Sequence, residues 1–219
     1  MPITPAYSPP SEQPKILHID NDIIIVNKPA GLLSVPGRGA DKQDCLISRI
    51  RRNYPDALIV HRLDMPTSGI LLLARNPEAQ RQLSKQFEQR KITKEYTAVV
   101  QGCVKDICGE IDLPLITDWP NRPKQKVDHK IGKPSLTRYA VLSVDTQQQT
   151  TRLKLTPVTG RSHQLRVHLL SIGHIIKGDA LYSEVEAKKN SRLHLHASKI
   201  IFTHPSTDKT LVINSNSPF

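Results

Sequence analysis

The sequence predicts an α+β domain built on a large, mainly antiparallel sheet with a few flanking helices. Short apolar and β-branched runs recur along the 219 residues, separated by turn residues, and only three segments carry apolar residues at helical spacing. Strands and helices do not alternate regularly, which argues against a doubly wound parallel sheet.

Each element has its own signal. Residues 1–14 hold Pro2, Pro5, Pro9, Pro10 and Pro14 and little apolar content, so they read as a flexible N-terminal arm before one domain over 15–219. Lys15 to Asp20 and Ile23 to Lys28 read as a hairpin around Asn21-Asp22, with Ile23 to Val26 a buried strand. Pro36 to Gly39 is a loop. Asp44 to Asn53 is a helix with Leu46, Ile47 and Ile50 inward, Arg52 on the opposite face, Arg49 and Arg51 on the flanks, and an end before Pro55. Ala57 to Val60 is an apolar strand, and Gly69 to Ala74 is another. Asn76 as N-cap with Pro77 at the first turn opens a second helix, burying Ala79, Leu83 and Phe87 and turning Arg81 and Lys85 out. Thr97 to Gln101, Ser135 to Val144 and Thr150 to Thr156 read as strands, the last two joined through a polar tip at Gln147 to Gln149. Asp118 to Val127 is a basic, Pro-rich surface loop. Ser162 to Gly173 is a third helix, with Ser162 as N-cap and Gly173 just past the end. Leu193 to Phe202 and Thr210 to Ile213 close the sheet.

Composition narrows the partners. The formal net charge is +11 and the pI is about 9.7, which suits a polyanion: nucleic acid first, an acidic membrane surface second. No stretch approaches the ~20 apolar residues of a membrane span. The N-terminal residues lack the apolar core of a secretory signal. Three cysteines form no disulfide framework, and a reducing compartment, the cytoplasm, is expected.

The most informative stretch is His61-Arg62-Leu63-Asp64-Met65-Pro66-Thr67-Ser68-Gly69. An apolar strand leads into it and Pro and Gly turn the chain after it, so Asp64 sits on a loop held by a rigid strand. If the strand stays extended, Arg62 and Asp64 point to one side. The residues alone allow two readings: an Asp capping a turn beside a surface Arg, or a cation and an anion facing one cleft.

Four further stretches accompany it in order: Val26-Asn27-Lys28-Pro29-Ala30-Gly31-Leu32, Lys94-Glu95-Tyr96-Thr97-Ala98, Thr159 to His168 (TGRSHQLRVH), and Leu195-His196-Ala197. Together these five motifs resemble the RluA family of pseudouridine synthases, with Ser162 where that family usually has Thr. The resemblance runs from about residue 16 to the C-terminus. Residues 118–127 and the short length further resemble the dual-specificity branch of that family, which modifies both ribosomal RNA and transfer RNA. The resemblance implies the pseudouridine synthase fold, with a catalytic cleft across the sheet. Many members carry an added N-terminal S4 RNA-binding domain. Fourteen residues cannot form one, so the catalytic domain is expected to hold RNA itself.

The chemistry is compatible with so few charged groups. Conversion of uridine to pseudouridine gains and loses no atoms, so no cofactor and no metal are expected. One carboxylate that attacks the sugar or stabilises cationic character there is sufficient, whereas glycoside hydrolysis generally uses two because one activates water. The resemblance makes Asp64 that residue. It implies that Tyr96, which by spacing alone reads as a core residue beside Ala98 and Val100, stacks on the uracil with its hydroxyl toward the sugar, where it can act as a general base. It implies that Arg166, by spacing alone a surface residue, pairs with Asp64. Arg62, beside Asp64 and without an obvious partner, is placed to enter the stack that the uridine leaves. His163 and His168 are five apart, and His194 and His196 share a strand face; without paired cysteines they do not read as a zinc site. A monomer without obligate protein partners is expected. Two other readings are an RNA-binding module that has lost activity, against which Asp64, Tyr96 and Arg166 all speak, and a metal-dependent nuclease built on the histidines.

Overall fold

The structure is a computed structural model and describes residues 7–219. Strands β1 (Lys15–Ile19) and β2 (Ile23–Lys28) form the expected antiparallel hairpin, closed by Asp20, whose Oδ1 accepts from the amides of Asp22 and Ile23. Strands β3 (Leu58–Ile59) and β4 (Ser68–Ala74) flank the HRLD stretch. Beyond them lie β5 (Thr93–Gln101), β6 (Cys108–Asp112), β7 (Leu115–Thr117), β8 (Gln125–Val127), β9 (Leu136–Asp145), β10 (Thr150–Pro157), β11 (Leu195–Thr203) and β12 (Thr210–Asn214). Among the described residues four α-helices, α1 (Leu46–Arg51), α2 (Pro77–Glu88), α3 (Gln164–Ser171) and α4 (Glu184–Lys189), pack around them.

Ten strands make one sheet in the order β1-β2-β4-β11-β5-β10-β9-β6, with β12 on β11 and β3 on β4; β7 and β8 form a separate hairpin. Every pairing is antiparallel except β4 with β11, where Ser68 faces His196 and Gly69 faces Ala197. The apolar run of β2 has no inside-outside alternation because both faces are covered. Ile24 and Val26 pack with Leu46, Ile47 and Ile50 of α1, while Ile23 and Ile25 pack with Ala79 and Leu83 of α2. The β5–β10 half has a third core with Leu165 and Leu169 of α3.

The parallel β4–β11 seam is close and polar. Gly69 has φ +113°, and a side chain there would begin 2.4 Å from the Ala197 carbonyl oxygen and 2.5 Å from its nitrogen. Beside it, buried His196 bridges Ser68 Oγ at 2.8 Å and Ser215 Oγ at 3.0 Å. Burial, reinforced by the nearby Arg192 charge, pushes the His196 pKa down to about 4 and keeps the ring neutral near pH 7.

Several sequence expectations change in detail. The 57–60 strand is only two residues long and half-buried, because the chain leaves the sheet at Val60. The 162–173 helix begins at Gln164, not after a Ser162 cap: His163 occupies the left-handed region (φ 54°), and the Gln164 carboxamide oxygen accepts from the Arg161 amide and the Thr159 hydroxyl. Helix α4 and strands β6, β7 and β8 carry no sequence signal that was legible by periodicity. The expected N-terminal arm lies partly outside the described residues. Tyr7 to Pro14 form no helix or strand, yet they are tied down: the Tyr7 hydroxyl donates to Asp44 O, and Arg49 donates to Pro10 O and Glu12 O. Arg49 is therefore not on an exposed flank; it is 8% exposed and bidentate with Asp44.

The geometry at the seam makes a direct prediction. Gly69→Ala lowers stability by more than about 1 kcal/mol, because alanine meets both a forbidden φ and the opposing backbone. Urea unfolding checks it, and a wild-type midpoint would remove the close approach as a constraint.

Candidate active site

The loop between β3 and β4 carries Asp64, and its backbone is held on both sides. His61 Nε2 accepts the Leu72 amide at 3.0 Å, so a side chain replaces the next rung of the β3–β4 ladder and the strand can leave the sheet. The His61 ring packs against Phe87 at a 32° tilt with 4.5 Å between centroids. Burial, reinforced by the Lys94 charge, pushes the His61 pKa down to about 3, consistent with a nitrogen that must keep its lone pair. Ser34 Oγ accepts from the Leu63 amide and donates to the Leu63 carbonyl. After Asp64 a turn closes through Thr67 N to Asp64 O at 3.1 Å. The Met65 carbonyl then accepts from Gly31 N and from Lys28 Nζ.

Lys28 explains the Asn-Lys-Pro-x-Gly-Leu motif physically. It is fully buried, and its amine donates to the carbonyls of Pro29, Leu32 and Met65 at 2.7–3.0 Å. One side chain thus ties the end of β2 to the Asp64 turn. Burial pushes its pKa down to about 7, against the attraction of Asp64.

Opposite the loop, α3 presents Arg166. It is 3% exposed, and its main partner is Asp179, not Asp64. The Arg166–Asp179 contact is bidentate at 2.6 and 2.8 Å, with Asp179 1% exposed, whereas Arg166 Nη1 lies 3.6 Å from Asp64 Oδ2. Burial opposes the guanidinium charge, but Asp179 outweighs it and holds the pKa above the ordinary arginine value. His163 Nε2 lies 3.9 Å from the same Asp64 oxygen, and its other ring nitrogen is 2.9 Å from the Tyr182 hydroxyl. The left-handed backbone of His163 costs about 1–3 kcal/mol, and the helix start that follows positions Arg166 beside it. Tyr182 also accepts the Gln125 amide and lies under the Arg166 guanidinium, 5.1 Å from its ring centroid. The β7–β8 hairpin is thereby fastened to the site.

Tyr96, on β5 opposite Ala197, completes the group. Burial and then the Asp64 charge push its pKa up, so it stays a neutral phenol. The Asp64 side chain is 31% exposed, and its carboxylate accepts no hydrogen bond among the described residues beyond the two long ionic contacts, leaving its oxygens open to a ligand. The cleft has two chambers of about 600 and 630 Å³. Tyr96 and Arg166 line the first, while Arg62, Leu63, Asp64 and His163 line both.

Arg62 is exposed at the junction of the two chambers. Sequence reasoning therefore named four residues, Arg62, Asp64, Tyr96 and Arg166, that the fold brings to one cleft. It missed Asp179 and Tyr182. A Gly178-Asp179 turn is visible in the sequence, but nothing in the spacing connects it to Arg166. Of the histidines considered for a metal, His163 meets Tyr182, His168 meets Thr137 Oγ1 and Leu113 O, and His196 meets Ser68 and Ser215, whereas His194 stacks on Phe219 and its buried Nδ1 has no hydrogen-bond partner among the described residues.

The sequence profile of the family described as RNA pseudouridylate synthase matches residues 22–171, which spans this cleft from β2 to α3. The chain belongs to that family. Among relatives of this pseudouridine synthase, the "Dual-specificity RNA pseudouridine synthase RluA" of Escherichia coli (strain K12) is 47% identical over 215 residues, 97% of this chain and 98% of the relative. The protein of that description from Vibrio parahaemolyticus serotype O3:K6 (strain RIMD 2210633) is 52% identical over 206 residues, 92% of this chain and 82% of its own. The structure of "Human RNA Pseudouridylate Synthase Domain Containing 1" superposes with a TM-score of 0.80 at 28% identity, covering 97% of this chain and 87% of that one. These likenesses agree with the α+β fold and the enzyme class expected from sequence. No helix among the described residues is long and apolar enough to cross a membrane.

The buried ion pair makes the site's prediction. Asp179→Asn leaves a buried guanidinium without its main countercharge, so stability falls by about 3–5 kcal/mol and turnover falls with it. Thermal melting and single-turnover kinetics check it. Full turnover in a folded variant would show that Arg166 needs no such support.

Proposed function

We propose that this enzyme draws a uridine out of structured RNA into the cleft and isomerises it with Asp64 as the reacting carboxylate. One observation carries the reading: Asp64 is the carboxylate that both chambers share, faced by two cationic or titratable groups, yet its oxygens accept no short hydrogen bond. In the reaction the bond from uracil N1 to ribose C1′ breaks, the base turns, and C5 joins C1′. The C5 proton leaves and N1 takes one up, so atoms balance without a redox partner. Asp64 attacks the sugar or stabilises its positive character. Arg166, anchored by Asp179, holds a fixed positive charge 3.6 Å from that carboxylate.

Tyr96 provides the face on which the flipped uracil recovers stacking lost from the RNA. As a neutral phenol, its hydroxyl suits donation to a substrate oxygen better than proton abstraction. Arg62, exposed at the junction of the chambers, fills the vacancy in the RNA stack, its planar guanidinium suited to both bases and phosphates.

The targets we propose are 23S ribosomal RNA and the anticodon stem–loop of transfer RNA. Support comes from relatives described as dual-specificity at about half identity over most of their length, and from the resemblance carried by residues 118–127. Mapping pseudouridines in RNA from cells with and without this protein tests it. Sites lost from both RNAs support the dual reading; sites lost from one alone restrict it to that RNA.

Asp64→Asn keeps shape but removes the charge, and turnover falls by at least about a hundredfold while RNA affinity stays within a few-fold. Residual activity above that level would remove Asp64 from the chemistry. Tyr96→Phe keeps the stacking face, so binding changes little, and single-turnover rates drop by about tenfold or more. A wild-type rate would reduce Tyr96 to a platform.

A further inference from the structure

Lys94 is a cation in the cleft that forms no ion pair among the described residues. It lies two residues before Tyr96 on β5, so strand alternation turns both side chains to the same face. Both line the larger group of residues around Asp64. The Lys94 amine sits 5.8 Å from the Phe87 ring centroid and 3.6 Å from where a side chain on Gly160 would begin. Phe87 in turn packs against His61, so the amine rests on the same packing that releases the Asp64 loop from the sheet. Glu95, its neighbour in sequence, points to the opposite face, where it meets Lys199. Burial alone pushes the Lys94 pKa down, with no carboxylate contributing.

A half-buried ammonium without a partner is costly unless a ligand supplies the countercharge. Asp64 and Tyr96 face the sugar and the base of a bound nucleoside, and the other charged residues of this chamber are Arg62, Arg90, Arg161, Arg166 and Glu88. Two residues along a strand span about 7 Å, comparable to the separation of a base from the phosphate of its own nucleotide. We propose that Lys94 binds one of the two backbone phosphates that flank the flipped uridine, anchoring the extruded nucleotide by its charge while Tyr96 holds its base. The amine thus lies between the Gly160 backbone and the Phe87 ring, at the wall of the chamber. This inference rests on the reading of Asp64 and Tyr96 as the groups that face the substrate.

The test couples one protein charge to one RNA charge. The probe is a stem–loop RNA carrying a mapped target uridine, made with a neutral methylphosphonate at its 5′ or its 3′ phosphate in turn. Lys94→Met weakens binding of the unmodified RNA by about tenfold, and the slope of log affinity against log salt becomes shallower by about 0.7–0.9. The loss falls on KM more than on kcat, and Lys94→Arg recovers most of it. At one of the two positions the methylphosphonate weakens wild-type binding by a similar factor and costs Lys94→Met nothing further. Three results would overturn the proposal: full methylphosphonate penalties in Lys94→Met, unchanged affinity in that variant, or a loss confined to kcat. If Lys94→Met does not fold, Lys94→Gln and Lys94→Arg carry the same comparison. Coupling is read from binding alone, so it stands apart from wild-type pseudouridine formation on the unmodified RNA, which tests the underlying reading.

Discussion

The buried pair of Arg166 and Asp179 is the interaction on which the cleft depends. An arginine 3% exposed to solvent is tolerable only with a countercharge of good geometry, and Asp179 supplies it through two short hydrogen bonds. Asp64, farther away and partly solvated, then meets a cation whose position is already fixed. The arrangement separates two tasks that one carboxylate would perform poorly together. Asp179 neutralises and orients the arginine, while Asp64 keeps its oxygens available. The surroundings follow from this division: Tyr182 lies beneath the guanidinium, His163 is turned by its left-handed backbone toward both, and the β7–β8 hairpin is tied in through Gln125.

The opposite wall solves a different problem, that of holding an irregular loop still. Between Val60 and Ser68 the chain has no regular ladder, so its polar groups need other partners. Ser34 and Lys28 provide them from two other segments, and His61, within the stretch, satisfies the Leu72 amide that β4 leaves facing it. Each is a polar side chain spent on backbone, and two of them, His61 and Lys28, have their charged forms disfavoured by burial. Such groups bring order to a loop at a cost in desolvation, which is acceptable where a carboxylate must be held to a fixed point.

Sheet topology accounts for why the cleft lies where it does. The single parallel contact, β4 with β11, joins two antiparallel halves, and Ala197 on β11 faces Gly69 on one side and Tyr96 on the other. The loop before β4 and the face of β5 therefore meet across one strand. The need for Gly69 comes from the same seam, because the backbones approach too closely for a side chain.

The sequence by itself determined the α+β class, the hairpin at 15–28, the capped helix after Asn76, and, through five short motifs, the family and the four residues that share the cleft. These are legible because periodicity, capping and turn chemistry are local, and because motifs tolerate no gap in register. Tertiary structure alone decided the rest. Arg49 carries the same charge as Arg51, yet it is buried because Asp44 and the 7–14 segment fold over it. Helix α3 starts at Gln164 because side-chain contacts with Thr159 and Arg161, not a Ser162 cap, set its first turn. Asp179 became the partner of Arg166, thirteen residues away, because the loop after β10 and the turn at Gly178 converge on one point in space. Pairings of that kind depend on distance between backbones, which no spacing along a chain encodes.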